Sequence, residues 1–292
     1  MRKSLLLLAV MALTISCGEN IEKMAGHHLD NAKEAFSVGN YNVAKQEIDS
    51  IKILYPKAFE ARRQGIKLMQ QIEETEQMRI IEYEDSMIAA AQTSFDRIKA
   101  NYAFEKDDRY QDLGLYTIKS QAPQRNTDRT YIRAQVDELG RMTLISCYRG
   151  SSYIHHDWLK LSVGEVYVDT PESRDRHEFE DLGVYYEWVS FINGNDGGAA
   201  AFINANKDEN ITFTLYRKTG PDSSRPVYRN LKLNKNDRHA IASLYDLAQI
   251  LQSLEEHKKL RDEAERHLQF IRSKMNEEPA DDSAQDTVQE DK

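Results

Sequence analysis

The residues of this 292-residue chain that could do chemistry are few, and their spacing decides most cases. His155-His156-Asp157 offers two imidazoles and a carboxylate, the groups of a divalent-metal site or a general base. Neighbours on a strand point to opposite faces, so both rings could serve one ion only from an irregular loop. No further His or carboxylate stands at a ligand spacing to complete the set. His27-His28 reads the same way. The loop Asn193-Gly194-Asn195-Asp196-Gly197-Gly198 precedes an expected short helix, as phosphate loops do. It lacks both the Gly-Lys-Ser/Thr ending and the Gly-x-Gly-x-x-Gly spacing, and Asp196 would repel phosphate, so it reads as a turn. Cys147 lies in the alternating run Met142–Tyr148 and reads as a buried structural thiol. No Gly-x-Ser-x-Gly, His-Glu-x-x-His or EF-hand pattern is present. The expectation is a protein that is not an enzyme, with no catalytic residue, no metal and no cofactor.

Aromatic residues offer more. Of the 26 Phe, Trp and Tyr, 14 fall between Tyr131 and Tyr228, which places any recognition surface in that region. In Val184–Ile192 both faces of the expected strand are apolar or aromatic, so one face meets the core and the other is covered or meets a partner. Tyr185, Trp188, Trp158 and Tyr153 are the candidate interaction surface, since such side chains suit protein interfaces and sugar stacking. Packing within the sheet is the competing account.

Three kinds of element must position these residues. Residues 57–104 have a helical pattern, with Ile80, Tyr83, Met87, Ala91, Phe95, Ile98 and Tyr102 spaced as a coiled-coil seam. Between 105 and 235 the period changes to two. Residues 131–136 and 142–148 read as a hairpin around Asp137-Glu138-Leu139-Gly140, with further strands at 163–169, 184–192, 211–217 and 227–233 and a short helix at 199–206. A second long helix, 236–275, opens on the capping residues Asn236-Asp237. It carries Leu244, Leu247, Leu251 and Leu254, is interrupted at Lys258 and Arg261, and resumes with Ala264, Leu268, Ile271 and Met275. The expected fold is α+β: an antiparallel β-rich head over 105–235, with the C-terminal helix pairing back on 57–104 as a stalk. Residues 276–292, with seven acids and one lysine and no apolar periodicity, read as a disordered acidic tail.

The two ends carry resemblances. Arg2 and Lys3 precede an apolar stretch, Leu5–Leu13, too short to cross about 30 Å of hydrocarbon. Thr14-Ile15-Ser16-Cys17-Gly18 follows, and a small residue directly before this Cys resembles the lipobox of bacterial lipoproteins, with Thr14 where that family usually carries Leu. The resemblance implies a signal peptide over 1–16 and acyl chains, palmitate among them, on Cys17. It thus implies a membrane partner and a place in the bacterial cell envelope, at the outer membrane and facing periplasm or surface. Residues 17–56 hold Ala32, Ala35, Gly39, Tyr41, Ala44, Ile48, Ile51 and Pro56 at offsets that resemble one tetratricopeptide-type helical hairpin. A single repeat leaves an outer face to be covered.

The net charge of −9 argues against nucleic acid, whose binders need a basic face. The reading is a membrane-anchored envelope lipoprotein acting as a non-catalytic scaffold or binding subunit with a protein partner. The alternative is a carbohydrate- or peptidoglycan-binding lipoprotein that uses the head aromatics, and a hydrolase comes third. An apolar patch would favour the first, parallel exposed rings the second, and a deep polar cleft with converging His and acid the third.

Overall fold

The computed structural model describes the backbone of residues 2–217 and 227–276, with side chains over 20–217 and 229–276. Residue 1, the side chains of 2–19 with Cys17 among them, residues 218–226, the side chains of 227–228 and the tail beyond Asn276 lie outside the described residues. The protein is α+β. Helices α1 (Arg2–Ser37), α2 (Tyr41–Leu54) and α3 (Phe59–Ile98) come first, followed by strands β1 (Ala103–Glu105), β2 (Leu115–Thr117), β3 (Tyr131–Asp137) and β4 (Met142–Gly150). Next are β5 (His156–Val163), β6 (Val166–Asp169), β7 (Arg176–Asp181) and β8 (Val184–Phe191). A short helix α4 (Ala199–Ala205), strands β9 (Thr212–Arg217) and β10 (Val227–Lys232) and the long helix α5 (Lys235–Asn276) complete the order. Among the described residues searched, no helix is long and apolar enough to cross a membrane. The chain divides into two compact units, Met1–Asp85 with Lys259–Lys292, and Ser86–Lys258.

In the first unit, Gly39 at φ +76° ends α1. Its N–H donates to the Phe36 carbonyl and that of Asn40 to the Ala35 carbonyl, so two helix-end carbonyls are satisfied in a left-handed turn that favours glycine. The Asn40 side chain then caps α2 by accepting from the Val43 amide. Ala32, Ala35 and Ala44 are buried with Ile48, Ile51, Ala61, Leu68 and Ile72 in one apolar core, since small residues let the helices approach closely. His28 is tied into the hairpin by Glu47 at 2.6 Å. The end of α5 runs antiparallel to α3. Arg272 bonds Glu74 at 2.8 Å and Arg261 bonds Asp85 at 3.1 Å, pairs that lie eleven residues apart on each helix (74 to 85, 272 to 261). Ala264, Leu268 and Ile271 are buried there.

Part of the expected α3 seam is misplaced. Ile80 and Tyr83 are 41% and 58% exposed, and the half-buried face starts at Met87. The periodicity was continuous, but a helix side is buried only where something packs on it.

In the second unit, a six-stranded antiparallel sheet runs β1-β2-β3-β4-β8-β7 and a four-stranded one β10-β9-β5-β6. Alternation assigns the faces. Ile132, Ala134 and Val136 of β3, Leu144 and Tyr148 of β4, and Val189 and Phe191 of β8 share a core with Leu159, Leu161, Phe213 and Leu215 of the smaller sheet. Ile203 of α4 and Ile241, Leu244, Leu247 and Leu251 of α5 join it. The first leucine run of α5 therefore belongs to the head core, not to a free-standing helix pair. Each such side chain contributes about 1.5–3 kcal/mol by leaving water. Phe95, Ile98 and Tyr102 pack against the same core, and the Tyr102 hydroxyl donates to the Ser243 carbonyl at 2.9 Å.

Several boundaries differ from expectation: α3 ends at Ile98, short of 104, so Tyr102 lies beyond the helix, and β1, β2, β5 and β7 are strands that the sequence reading did not include. The strand read at 163–169 is a hairpin, because Gly164, at φ +58°, and Glu165 turn the chain between β5 and β6. Helix α5 starts at Lys235, with the Asn234 side chain accepting from the Asn236 amide, so Asp237 lies in its first turn. Gly140, at φ +78° in the β3–β4 turn, faces α5. A Cβ there would lie 2.6 Å from the Ala248 carbonyl oxygen and from the Gln252 nitrogen. Gly140→Ala is accordingly expected to lower stability by about 1–3 kcal/mol, read as a drop in the urea midpoint at unchanged slope.

Candidate binding site

His156 links the two sheets of the head through both of its ring nitrogens. One ring nitrogen meets Glu187 at 2.7 Å and the other meets the Ser146 hydroxyl at 3.0 Å. This is the connectivity of a nucleophile, a base and an orienting acid. All three residues are 0% exposed. Ser146 and Glu187 lie on the core face of β4 and β8, so no carbonyl group can reach the Ser146 oxygen. The trio is a buried polar link between the sheets. Glu187 also accepts from the backbone amides of Ile154, His155 and His156, fixing the turn into β5, where His155 adopts φ +51°. Burial raises the Glu187 pKa, but the bonds from His156 and the His155 and Ile154 amides outweigh it, and the net shift is downward.

Donor atoms of His155, Glu178 and Glu187 lie within 4.8 Å of one another. Their occupancy speaks against a cation site. Both Glu187 oxygens are engaged as just described, and Glu178 is shared by His155 at 2.8 Å and the Arg176 guanidinium at 2.7 Å. The glycine-rich loop is settled by Asp196, whose carboxylate accepts from Gly198 at 2.9 Å and Ala200 at 2.8 Å and caps α4. An anion would find that helix start already filled by a carboxylate.

The remaining chemistry is on the outer face of the six-stranded sheet. Cys147 and Tyr131 are paired across β3 and β4, and Trp188 is opposite Cys147 on β8. Tyr186, two residues back, shares that face and is opposite Phe179 of β7. Phe179 lies parallel to Tyr186 at 4.9 Å and presents its edge to Trp188 at 5.3 Å. The turn 123–127 bounds the groove, and the Tyr186 hydroxyl donates to the Thr127 carbonyl at 3.2 Å. The resulting cavity, about 240 Å³, is lined by Gln124, Thr127, Arg129 and Asp181 at the rim and by Tyr131, Cys147, Phe179, Tyr186 and Trp188 within.

Charge is distributed unevenly here. Arg129, stacked 4.6 Å from the centre of the Tyr131 ring, is held by Asp237 and Asn126. Its charge is neutralised by Asp237. Arg133, 5.6 Å above Trp188, and Arg149, opposite Tyr186, lie on the same face. Neither makes an ion pair among the described residues, and the Nε of each is buried without a hydrogen-bond partner. Burial pushes the Cys147 thiol up to about 11, with Arg133 and Tyr131 pulling the other way, so it stays protonated and unreactive.

The four aromatic residues singled out in the sequence do not share one surface. Trp188 is in this groove. Tyr185 is on the opposite side of β8, edge-on to Tyr153 at 4.8 Å, and Trp158 lies flat on Tyr216 at 4.1 Å on the smaller sheet. Comparisons with protein-family models, with curated proteins and with solved structures return no match. Sequence reasoning missed Phe179, Tyr186, Tyr131 and the arginines. The parity of 184–191 was the available signal for Tyr186, since it shares a face with Trp188 and Tyr185 does not. Which strands lie beside β8 was not written in any local pattern.

Proposed function

We propose that this protein is a non-catalytic binding protein of the bacterial cell envelope, held at a membrane by acyl chains on Cys17 and recognising its partner through the aromatic groove of the head. The observation that carries the reading is a contrast in access. The Ser146–His156–Glu187 constellation is sealed in the core, whereas Trp188, Tyr186 and Phe179 line an open groove on the outer sheet face. Aromatic side chains in a concave site with a few placed polar groups are the usual make-up of a recognition site. The lipobox resemblance at Thr14–Gly18 supports the membrane anchor, and the acyl chains would leave the head free to bind.

The test is in-cell crosslinking of the lipidated protein, tagged at Lys292 and extracted in mild detergent, with captured material analysed for both protein and glycan. The reading expects a stoichiometric species that Trp188→Ala and Tyr186→Ala each remove. Absence of such a species, or capture unchanged in both variants, overturns it.

A further inference from the structure

We infer that the turn between α2 and α3 is a membrane-contact surface, with Ile53, Leu54 and Phe59 entering the headgroup layer of a phospholipid surface and Lys52 and Lys57 meeting its phosphates. The inference rests on the membrane-anchored reading above for which end of the first unit faces the bilayer, and it assigns a second, non-covalent contact there.

The apolar groups come first. Ile53, Leu54 and Phe59 are 73%, 59% and 58% exposed. The turn that displays them is well tied. The Tyr55 ring packs on the hairpin core and lies 5.7 Å from the His28 ring, Ala58 is buried, and its amide donates to the Tyr55 carbonyl. Arg62 donates to the Pro56 carbonyl at 2.9 Å. A held turn that buries Tyr55 and Ala58 yet leaves three larger apolar groups in water is a surface built to meet something. Charge says what kind of surface it meets. From 49 to 63 there are four cations, Lys52, Lys57, Arg62 and Arg63, against Asp49 and Glu60, in a chain whose net charge is −9. Lys52 and Lys57 are exposed and make no ion pair among the described residues, and Arg63 reaches Glu60 only at 3.9 Å. Apolar groups flanked by cations suit the headgroup layer, where a Lys stem stays with the apolar groups and its ammonium reaches a phosphate. Place is the third argument. Glu22 of α1 accepts from the Glu60 and Ala61 amides at 3.2 and 3.3 Å, which fixes the first turn of α3 beside α1. Cys17 precedes Glu22 by five residues of the same helix, roughly 7.5 Å of rise. Acyl chains on Cys17 would thus enter a bilayer close to this turn. A protein could cover the same apolar groups, but the cations and the closeness to Cys17 favour lipid.

The test uses the full-length protein, purified from cells in mild detergent and reconstituted into phosphatidylglycerol–phosphatidylcholine vesicles that carry a nitroxide on the lipid chains. A fluorescent amino acid replaces Phe59 or, as the distant reference, Val38. Val38 is exposed just past the other end of α1, sixteen residues and roughly 24 Å of helix from Glu22. Quenching at 59 is expected to exceed that at 38 by about threefold or more. The double variants Ile53→Asn/Leu54→Asn and Lys52→Glu/Lys57→Glu change only exposed or turn-edge side chains, and each should bring the two sites level while the protein still floats with the vesicles. Flotation together with palmitate labelling reports the anchor separately. A labelled protein that floats with equal quenching at the two sites loses the turn contact and keeps the anchor. An unlabelled protein that floats with the excess at 59 keeps the turn contact and loses the anchor. If the protein does not float, both fall. An excess at 59 that neither double variant reduces is tethering alone, and it overturns the turn contact. A photo-crosslinking residue at 59 that captures a protein and no lipid in cells gives the turn to a partner chain and overturns the lipid assignment.

Discussion

Cys17→Ala moves the protein from the membrane fraction to the soluble fraction of cells: this is the largest single-residue effect expected of the chain. The reasoning is one of chain count. Each buried methylene contributes about 0.8 kcal/mol to membrane binding, and one acyl chain gives only a marginal, reversible hold. On the proposed lipidation, a diacylglycerol on the Cys17 sulfur, with a third chain on the amine of a mature terminus, would double or triple the buried hydrocarbon and make the attachment stable. Among the described residues searched, no helix is long and apolar enough to cross a membrane. Removing the sulfur removes the attachment point, and the signal can then no longer be cut as a lipoprotein's is. Fractionation with alkyne-palmitate labelling reads the result: wild type labelled and sedimenting, Cys17→Ala unlabelled and absent from washed membranes. An unlabelled wild type, or a variant that still sediments after a carbonate wash, would remove the membrane anchor from the proposal.

How much of this was legible beforehand depends on whether the cause was local. The β3–β4 hairpin could be read because Ile132, Ala134 and Val136 alternate against Tyr131, Arg133 and Gln135, and alternation is a property of one strand. The end of α1 could be read because Gly39-Asn40 is a local turn signal. The interruption of the α5 seam at Lys258 and Arg261 was also visible, and it falls where the two units divide, with Arg261 paired to Asp85 of α3. What covers each half of α5 was not visible. Leu244, Leu247 and Leu251 have the spacing of a coiled coil, yet they pack on sheets contributed by residues from 131 to 233. The groove was out of reach for the same reason. Phe179, Cys147 and Trp188 meet because β4, β8 and β7 are neighbours, an order that no spacing records. One local anomaly did point somewhere: Glu187 is the only charge in the otherwise apolar or aromatic Val184–Ile192. A buried carboxylate calls for donors, and His155-His156 were the unassigned candidates.

Glu187→Ala should then be the most destabilising substitution in the head, by about 3–5 kcal/mol. The loss is not that of one salt bridge. The Ile154, His155 and His156 amides and the His156 ring all use this carboxylate as acceptor. In the variant these donors stay buried without a partner, and each such group costs about 1–3 kcal/mol. The strained φ of His155 would lose its compensation as well. Glu187→Gln recovers little, because its amide group sets N–H against N–H at one of the two oxygen positions. Ser146→Ala is the control, since it removes only the 3.0 Å contact to the His156 ring, with an expected cost of about 0.5–1.5 kcal/mol. Urea unfolding of the three proteins checks the order, and a Glu187→Ala loss no larger than that of Ser146→Ala would refute the buried-acceptor account. The pH dependence follows from the same bonds. The folded-state pKa of Glu187 lies below its unfolded value near 4.5, so its contribution is fully present above that pH. It disappears as pH falls through the lower, folded-state value, where the protonated carboxyl can no longer accept from all four donors. Wild type should therefore lose stability below about pH 4.5 more steeply than Glu187→Gln, and the two curves should approach each other toward acid.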